Sequence, residues 1–297
     1  MNLNNTSIKT QGQVIAAFSR RFIVETAQHG AISCLVQGRQ LRIVCGDRVN
    51  LVLTGQQGVI DSLEPRASLL YRSDLFRSKP IAANVTQIAV VVAARPSFST
   101  ELVQRCMLAA EAEGIASLVV LNKIDLPEST EALVRLRTLE QLGYPVVALS
   151  AESDPSPILP YLNEHTTLLI GQSGMGKSTL INALIPDTDA ATAEFSEALD
   201  SGKHTTTHTR LYHVSPNAAL IDSPGLQEFS LQHLNPEALA QAFVDFRPYI
   251  GLCRFRDCRH LSEPGCSIRQ AVENKQIDPA RLKLFHLLQK EYKILPR

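Results

Sequence analysis

"LLIGQSGMGKSTLINAL", Leu168 to Leu184, reads as a strand, a glycine-rich turn and the start of a helix. Its centre is Gly171-Gln172-Ser173-Gly174-Met175-Gly176-Lys177-Ser178, which fits the pattern G-x-x-x-x-G-K-[ST]. Such a loop wraps backbone N–H groups around phosphates at a helix N-terminus. Lys177 is expected to reach the β- and γ-phosphates. The Ser178 hydroxyl is expected to ligate Mg²⁺, and Thr179 to complete the nucleotide-contacting run. The place of the loop is unusual. It normally opens a nucleotide-binding fold, yet here 170 residues precede it.

Among those residues is "NKID", Asn122 to Asp125, at the end of the apolar run "ASLVVL". A carboxylate there can accept from guanine N1–H and the N2 amino group. Adenine offers neither, and a polar mismatch of this kind discriminates strongly. Asn122 is expected to brace the surrounding loops, and the Lys123 stem to cover the base. "SA", Ser150-Ala151, ends the next strand and is expected to place a backbone N–H near guanine O6. After the phosphate loop comes "DSPG", Asp222 to Gly225. Asp222 suits the Mg²⁺ site, through water, and the Gly225 N–H suits a sensor of the γ-phosphate.

The motifs therefore run base, base, phosphate, switch, switch. A binding site is defined in space and not along the chain. The usual GTPase order has been cut between "DSPG" and "NKID", and its old ends joined between "ALSA" and the phosphate loop. "ESDPSPILPYLNEH", with three prolines, is the expected join. Circular permutation is tolerated because chain ends lie at surfaces.

Working outward, residues 12–65 hold five short β-like runs: "GQVIAAFS", "RFIVETA", "AISCLVQG", "DRVNLVL" and "QGVIDSL". Five strands suit an OB-type barrel, with an SH3-like barrel as the alternative. Across residues 1–82 only Phe18, Phe22, Tyr71 and Phe76 offer stacking surfaces, and Phe18 and Phe22 also suit the core. From about residue 85, buried strands alternate with helices, which predicts a parallel sheet covered on both faces. "LYHV" and "NAALIDS" predict an antiparallel hairpin. Beyond residue 241 the chain reads as helical. Asp278-Pro279 predicts a helix start, and apolar residues at 282, 285, 288 and 292 predict its buried stripe. The expected domains are 1–82, a β-barrel; 83–240, a permuted GTPase domain; and 241–297, a metal-binding helical domain.

The chain has 297 residues, 44% apolar and 20% charged, with net charge zero. It lacks any apolar run near the roughly 18 residues a membrane span needs. Its polar N-terminus lacks a signal-peptide core, so the expected location is cytoplasmic. Residues 1–82 carry 10 Lys/Arg against 5 Asp/Glu, residues 83–240 carry 8 against 18, and residues 241–297 carry 11 against 6. The two basic ends favour a polyanion. Six cysteines in a reducing compartment are expected to be free or metal-bound. Cys253-x₄-Cys258-x-His260-x₅-Cys266 places three thiolates and an imidazole together. Four protein ligands leave no open position, so a structural zinc is expected. Cys34, Cys45 and Cys106 are expected to be ordinary reduced thiols.

With its N-terminal barrel, permuted motifs, "GKHTTTHT" (Gly202 to Thr209) and cysteine cluster, the chain resembles the RsgA (YjeQ) family of small-ribosomal-subunit biogenesis GTPases. The resemblance covers nearly the whole chain. It implies an OB barrel, a permuted GTPase domain and a zinc domain. It also implies late action on the 30S subunit and its 16S rRNA, with GTP, GDP, Mg²⁺ and one zinc per chain. A threonine of "GKHTTTHT" should close over Mg²⁺ and the γ-phosphate; among Thr205, Thr206 and Thr207 the family motif favours Thr206. Many GTPases orient the attacking water with a Gln after D-x-x-G. Leu226 stands there, so His204, the nearest candidate, takes that expected role, with Lys177 and Thr206 the other catalytic candidates. A monomer without membrane contact is expected. The alternative is an RNA-binding assembly module whose guanine nucleotide mainly locks its shape. An ATP-dependent kinase conflicts with Asp125.

Overall fold

The computed structural model describes residues 8–18, 21–36, 41–55, 57–72, 79–185, 209–223, 231 and 234–294. At the N-terminus lie β1 (Ile8–Ala17), β2 (Phe22–Thr26), β3 (Gly30–Val36), β4 (Arg48–Thr54) and β5 (Gln57–Leu63). They pair in the ring β1-β2-β3-β5-β4-β1, with β3–β5 parallel and the other pairs antiparallel. This is the closed five-stranded barrel of the OB type. Along β4, Val49, Leu51 and Leu53 are buried while the ends Arg48 and Thr54 are exposed, the two-residue period of a half-buried strand. Phe22 belongs to the barrel core, and Phe18 packs against the larger core beyond it. A hairpin, β6 (Leu69–Arg72) and β7 (Lys79–Ala83), leads out of the barrel.

The second unit is built on β8 (Gln87–Ala93), β9 (Ala116–Asn122), β10 (Val146–Ala148), β11 (Thr166–Ile170), β12 (Thr209–Ser215) and β13 (Ala218–Asp222). Their spatial order is β10-β9-β8-β11-β13-β12, parallel except for the β12–β13 hairpin. All seven residues of β8 are buried, and after Gln87 the run is continuously apolar and does not alternate. Helices α1 (Thr100–Glu113), α2 (Ser129–Gln141), α3 (Leu159–Leu162) and α4 (Lys177–Leu184) connect the strands. Ser99 caps α1 by accepting from the Leu102 N–H at 3.3 Å, and Gly114 ends it in the left-handed region at φ 65°. The proline-rich join is a compact corner. Its Ile158 and Leu162 are buried, and Gln87 donates to the Tyr161 carbonyl at 3.0 Å.

One pairing has no counterpart in the residue patterns. The end of β1 runs antiparallel to β12, with Ala16 opposite Arg210 and Ala17 opposite Thr209. A register shift between Val14 and Ala16 lets this ten-residue strand serve both barrel and sheet, as bulges do. The result is one sheet of eleven strands. His213 on β12 meets Glu25 on β2 at 2.7 Å, a second clasp at the same seam.

The C-terminal part adds α5 (Pro236–Ala242), α6 (Ser267–Glu273) and α7 (Pro279–Ile294). Asp278 accepts from the Ala280 N–H at 2.8 Å, so the predicted start of α7 stands. Its buried face differs from the predicted stripe. Arg281, Leu284, Phe285, Leu288 and Gln289 are buried, whereas Leu282 and Tyr292 are only half-buried. The reason is a buried ion pair that counting apolar residues cannot see. Arg281, 2% exposed, reaches Asp245 at 2.8 Å and Gln104 at 3.1 Å, and lies over the Phe243 ring. Two further pairs tie α1 to this part: Arg105 to Glu291 at 2.6 Å and Arg247 to Glu111 at 2.6 Å. Among the described residues no helix is long and apolar enough to cross a membrane.

Removing one partner of a buried pair strands the other charge and costs about 3–5 kcal/mol. Arg281→Met is therefore expected to lower stability by that order in chemical denaturation, and adding Asp245→Leu is expected to recover most of it. A single variant as stable as the parent would rule out a buried charge pair here.

Candidate functional site

The phosphate loop leaves the C-terminal end of the central strand β11 and enters α4 at Lys177. Two glycines make the path possible. Gly171 has φ +153°, and a Cβ there would run into the Val91 carbonyl oxygen. Gly176 has φ +92°, and a Cβ there would run into the Asn122 amide. Gly174 packs its backbone against Pro96, and Met175 is buried beneath the loop. Gln172 is half-buried, while Ser173, Gly174, Ser178 and Thr179 face outward.

Asn122 sits at the end of β9, 2% exposed, and joins three segments. Its amide nitrogen donates to the Met175 carbonyl at 2.9 Å, and its amide oxygen accepts from the Ala151 N–H at 2.8 Å. The "NKID", "SA" and phosphate loops, distant in sequence, thus meet at one side chain. Lys123, at φ 60°, donates to the Gly174 carbonyl at 2.7 Å and the Arg95 carbonyl at 3.1 Å. Ser150 and Ala151 are buried. Asp125 stands exposed in the turn after β9.

Lys177 donates to the carbonyls of Gly171 at 2.5 Å and Gln172 at 3.1 Å. Burial lowers its pKa, and the Asp222 charge works the other way. Burial likewise raises the Asp222 carboxyl, and Lys177 works to lower it. Asp222 ends β13 opposite Leu169 of β11, the strand that leads into the loop carrying Lys177. Each is held beside the other's charge in a partly dry setting. A polyphosphate and its cation arriving here would meet complementary charges at little reorganisation cost.

At the other end of the chain, Cys253, Cys258, His260 and Cys266 offer four ligand atoms within 4.8 Å of one another. The group could hold a metal ion. His260 adopts φ 59° and presents Nδ1 to the three sulfurs. Burial lowers its pKa, which keeps the ring neutral as a metal ligand must be. Burial would raise the Glu263 carboxyl. Its own N–H and those of Arg259, Leu261 and Ser262 outweigh burial and hold it at about 2. A folded pKa below the ordinary value stabilises fully above that ordinary value, and the support is lost progressively as pH falls from there to about 2. His286 and Gln289 of α7 reach the carbonyls of His260 and Arg259 at 2.7 and 3.2 Å.

The family model for the RsgA GTPase matches residues 63–232. The chain belongs to that family. It is 50% identical over 285 residues to the small ribosomal subunit biogenesis GTPase RsgA of Nitrosospira multiformis, covering 95% of this chain and 91% of that one. The RsgA of Nitrosomonas europaea is 48% identical over 293 residues, covering 97% and 93%. Among solved structures, YjeQ from Thermotoga maritima matches with TM-score 0.75 at 28% identity, covering 97% of this chain and 100% of that one. YloQ, a circularly permuted GTPase, matches with TM-score 0.72 at 26% identity, covering 100% and 99%. As an RsgA-family member the chain is a GTP hydrolase with permuted motif order.

Asn122, Lys123, Ser150, Ala151, Gly171 to Thr179 and Asp222 are thus gathered on one end of the sheet. His204, Thr205, Thr206, Thr207, Gly225 and Leu226 lie outside the described residues. Sequence reasoning missed Arg95 and Pro96, which the structure packs against the phosphate loop and Lys123. No pattern in "ARPSFS" points to that contact.

Asn122→Ala removes both bridging hydrogen bonds and leaves buried partners unsatisfied, each costing about 1–3 kcal/mol. Guanine-nucleotide affinity is expected to fall at least tenfold by calorimetry, with the global fold retained. Unchanged affinity would mean the three loops hold their places without the brace.

Proposed function

We propose that this GTP hydrolase acts in late maturation of the small (30S) ribosomal subunit, with turnover stimulated by the subunit. The observation that carries it is the Asn122 bridge between Met175 and Ala151, which unites base and phosphate loops into one guanine-nucleotide site. Near-full-length likeness to relatives named for small-subunit biogenesis supports the biological setting. Asp125 reads guanine N1–H and N2, and the backbone N–H groups of residues 171 to 178 wrap the phosphates; the Ala151 N–H, expected near O6, is taken by the Asn122 amide oxygen. Bound magnesium would neutralise charge on the β- and γ-phosphates, and Ser178, Asp222 and Thr206 are its proposed holders. Lys177 swings from its own loop carbonyls to the phosphate oxygens. His204 orients the attacking water, because Leu226 can neither donate nor accept. The Gly225 N–H senses the γ-phosphate.

The proposed division of labour follows residues 1–82, 83–240 and 241–297, with the two basic ends gripping 16S rRNA around an acidic motor. The protein works as a cytoplasmic monomer. The cysteine cluster holds zinc. Tetrahedral zinc with Zn–S of about 2.3 Å and Zn–N of about 2.0 Å requires S···N edges of about 3.6 Å. The three edges to His260 Nδ1 are 3.5, 3.6 and 3.4 Å. With all four positions filled by protein the ion is structural, and it supplies folding energy to a segment with little core.

Turnover by the isolated protein is expected to be slow, and small subunits are expected to accelerate it by positioning the loops around residues 204 and 226. The measurement is phosphate release with and without 30S particles; fast turnover indifferent to them would refute the proposal. Asp125→Asn is expected to shift preference toward xanthine nucleotides, which carry O2 where guanine carries N2. Retained guanine preference in competition binding would remove Asp125 from the base site.

A further inference from the structure

We infer that the loop between the first two cysteines of the metal cluster is a stacking prong for an unpaired RNA nucleotide. The inference rests on the proposed ribosomal setting and names what one part of the chain touches there. "LCRFRDC", Leu252 to Cys258, turns its apolar side chains outward. Leu252 is 69% exposed, the highest value among the exposed large hydrophobic residues described, and Phe255 is 42% exposed. Only Tyr161, on the join, is a comparably exposed aromatic side chain among the described residues. Exposed apolar side chains are ordinary when scattered, so Leu252 and Phe255 take their meaning from what surrounds them.

The surroundings say what it meets. Arg254, Arg256 and Arg259 are all exposed, and none pairs with a carboxylate among the described residues. Asp257 is the one acidic residue between them. Glu263, the next in sequence, is taken up by backbone N–H groups. Arg254 places its guanidinium over the Phe255 ring, 5.5 Å from the centroid. An aromatic ring flanked by unpaired guanidinium groups is the pairing that binds a base by its face and its phosphates by charge.

The loop is also held in shape. The Arg254 N–H donates to the Gly265 carbonyl at 3.0 Å, and the Cys258 N–H to the Phe255 carbonyl at 3.3 Å. Cys253 and Cys258 anchor its two ends in the cluster. A prong already fixed loses little freedom on binding. The partner must be unpaired, because an A-form duplex hides the faces of its bases and leaves the ring nothing to stack on. Every base has a face to stack, so little sequence preference is expected from the ring.

The chain contains no tryptophan, so Phe255→Trp installs a single emitter on the prong. The full-length variant, zinc content verified, is titrated with a single-stranded 12-nucleotide oligouridine, the same length of duplex RNA, and anionic phospholipid vesicles. The expected result is saturable quenching by the single strand, none by the duplex, and no blue shift with vesicles. Phe255→Ala should weaken oligouridine binding at least about fivefold by anisotropy, the lower bound for losing one stacked base. Arg256→Gln should reduce the salt slope of log K by about 0.7. Equal quenching by the duplex, a blue shift on vesicles, or Phe255→Ala binding as tightly as the parent each overturns the prong. Stimulation of the parent protein by 30S particles reads the ribosomal setting separately. Its absence with quenching intact overturns that setting and leaves the prong standing.

Discussion

One buried amide holds the nucleotide site in register. Asn122 donates to the phosphate loop and accepts from the loop after β10, so both loops are fixed to the end of β9. Its surroundings are shaped around it. Gly176 has no Cβ because the Asn122 amide occupies that space, and its positive φ is one that only glycine adopts without strain. Lys123 adds a second tie to Gly174 one residue on. This explains how a chain with its motifs in reversed order keeps a working site. The contacts that define it are side chain to backbone across parallel strand ends, and none depends on which loop comes first.

Charge is arranged on the same principle of mutual support. Lys177 and Asp222 are each penalised by burial and each relieved by the other. Neither would be comfortable alone at the dry end of the sheet. Together they keep a cation and an anion shielded from bulk water, in which their interaction would be weaker. Distant ion pairs do a related job. Arg281, Arg105 and Arg247 fasten α1 to the C-terminal part, and α1 follows the segment that packs on the phosphate loop. The barrel is joined on the other flank by backbone pairing of β1 with β12, the strand that follows the "GKHTTTHT" stretch. The nucleotide unit is thus gripped from both sides by parts with basic composition.

Much of this was legible from residue patterns. The phosphate loop, "NKID" and "DSPG" each carry a spacing dictated by phosphate, base or switch chemistry, and their order alone implied the permutation. The barrel strands, the helix start at Asp278 and the four-ligand cluster are local signals, since each depends on residues a few positions apart. Local spacing cannot reveal partners far along the chain. The α7 stripe was misplaced because Arg281 looks like a surface residue until Asp245 and Gln104 are brought beside it. Arg95 and Pro96 had no signal for the same reason, and the β1–β12 seam depends on a bulge and an unpaired edge that composition does not mark. Sequence alone determined which chemistry the chain carries, because ligand geometry constrains residue type and spacing directly. Only the tertiary structure decided how the three parts are coupled, because buried ion pairs and strand edges acquire their meaning from neighbours that folding supplies.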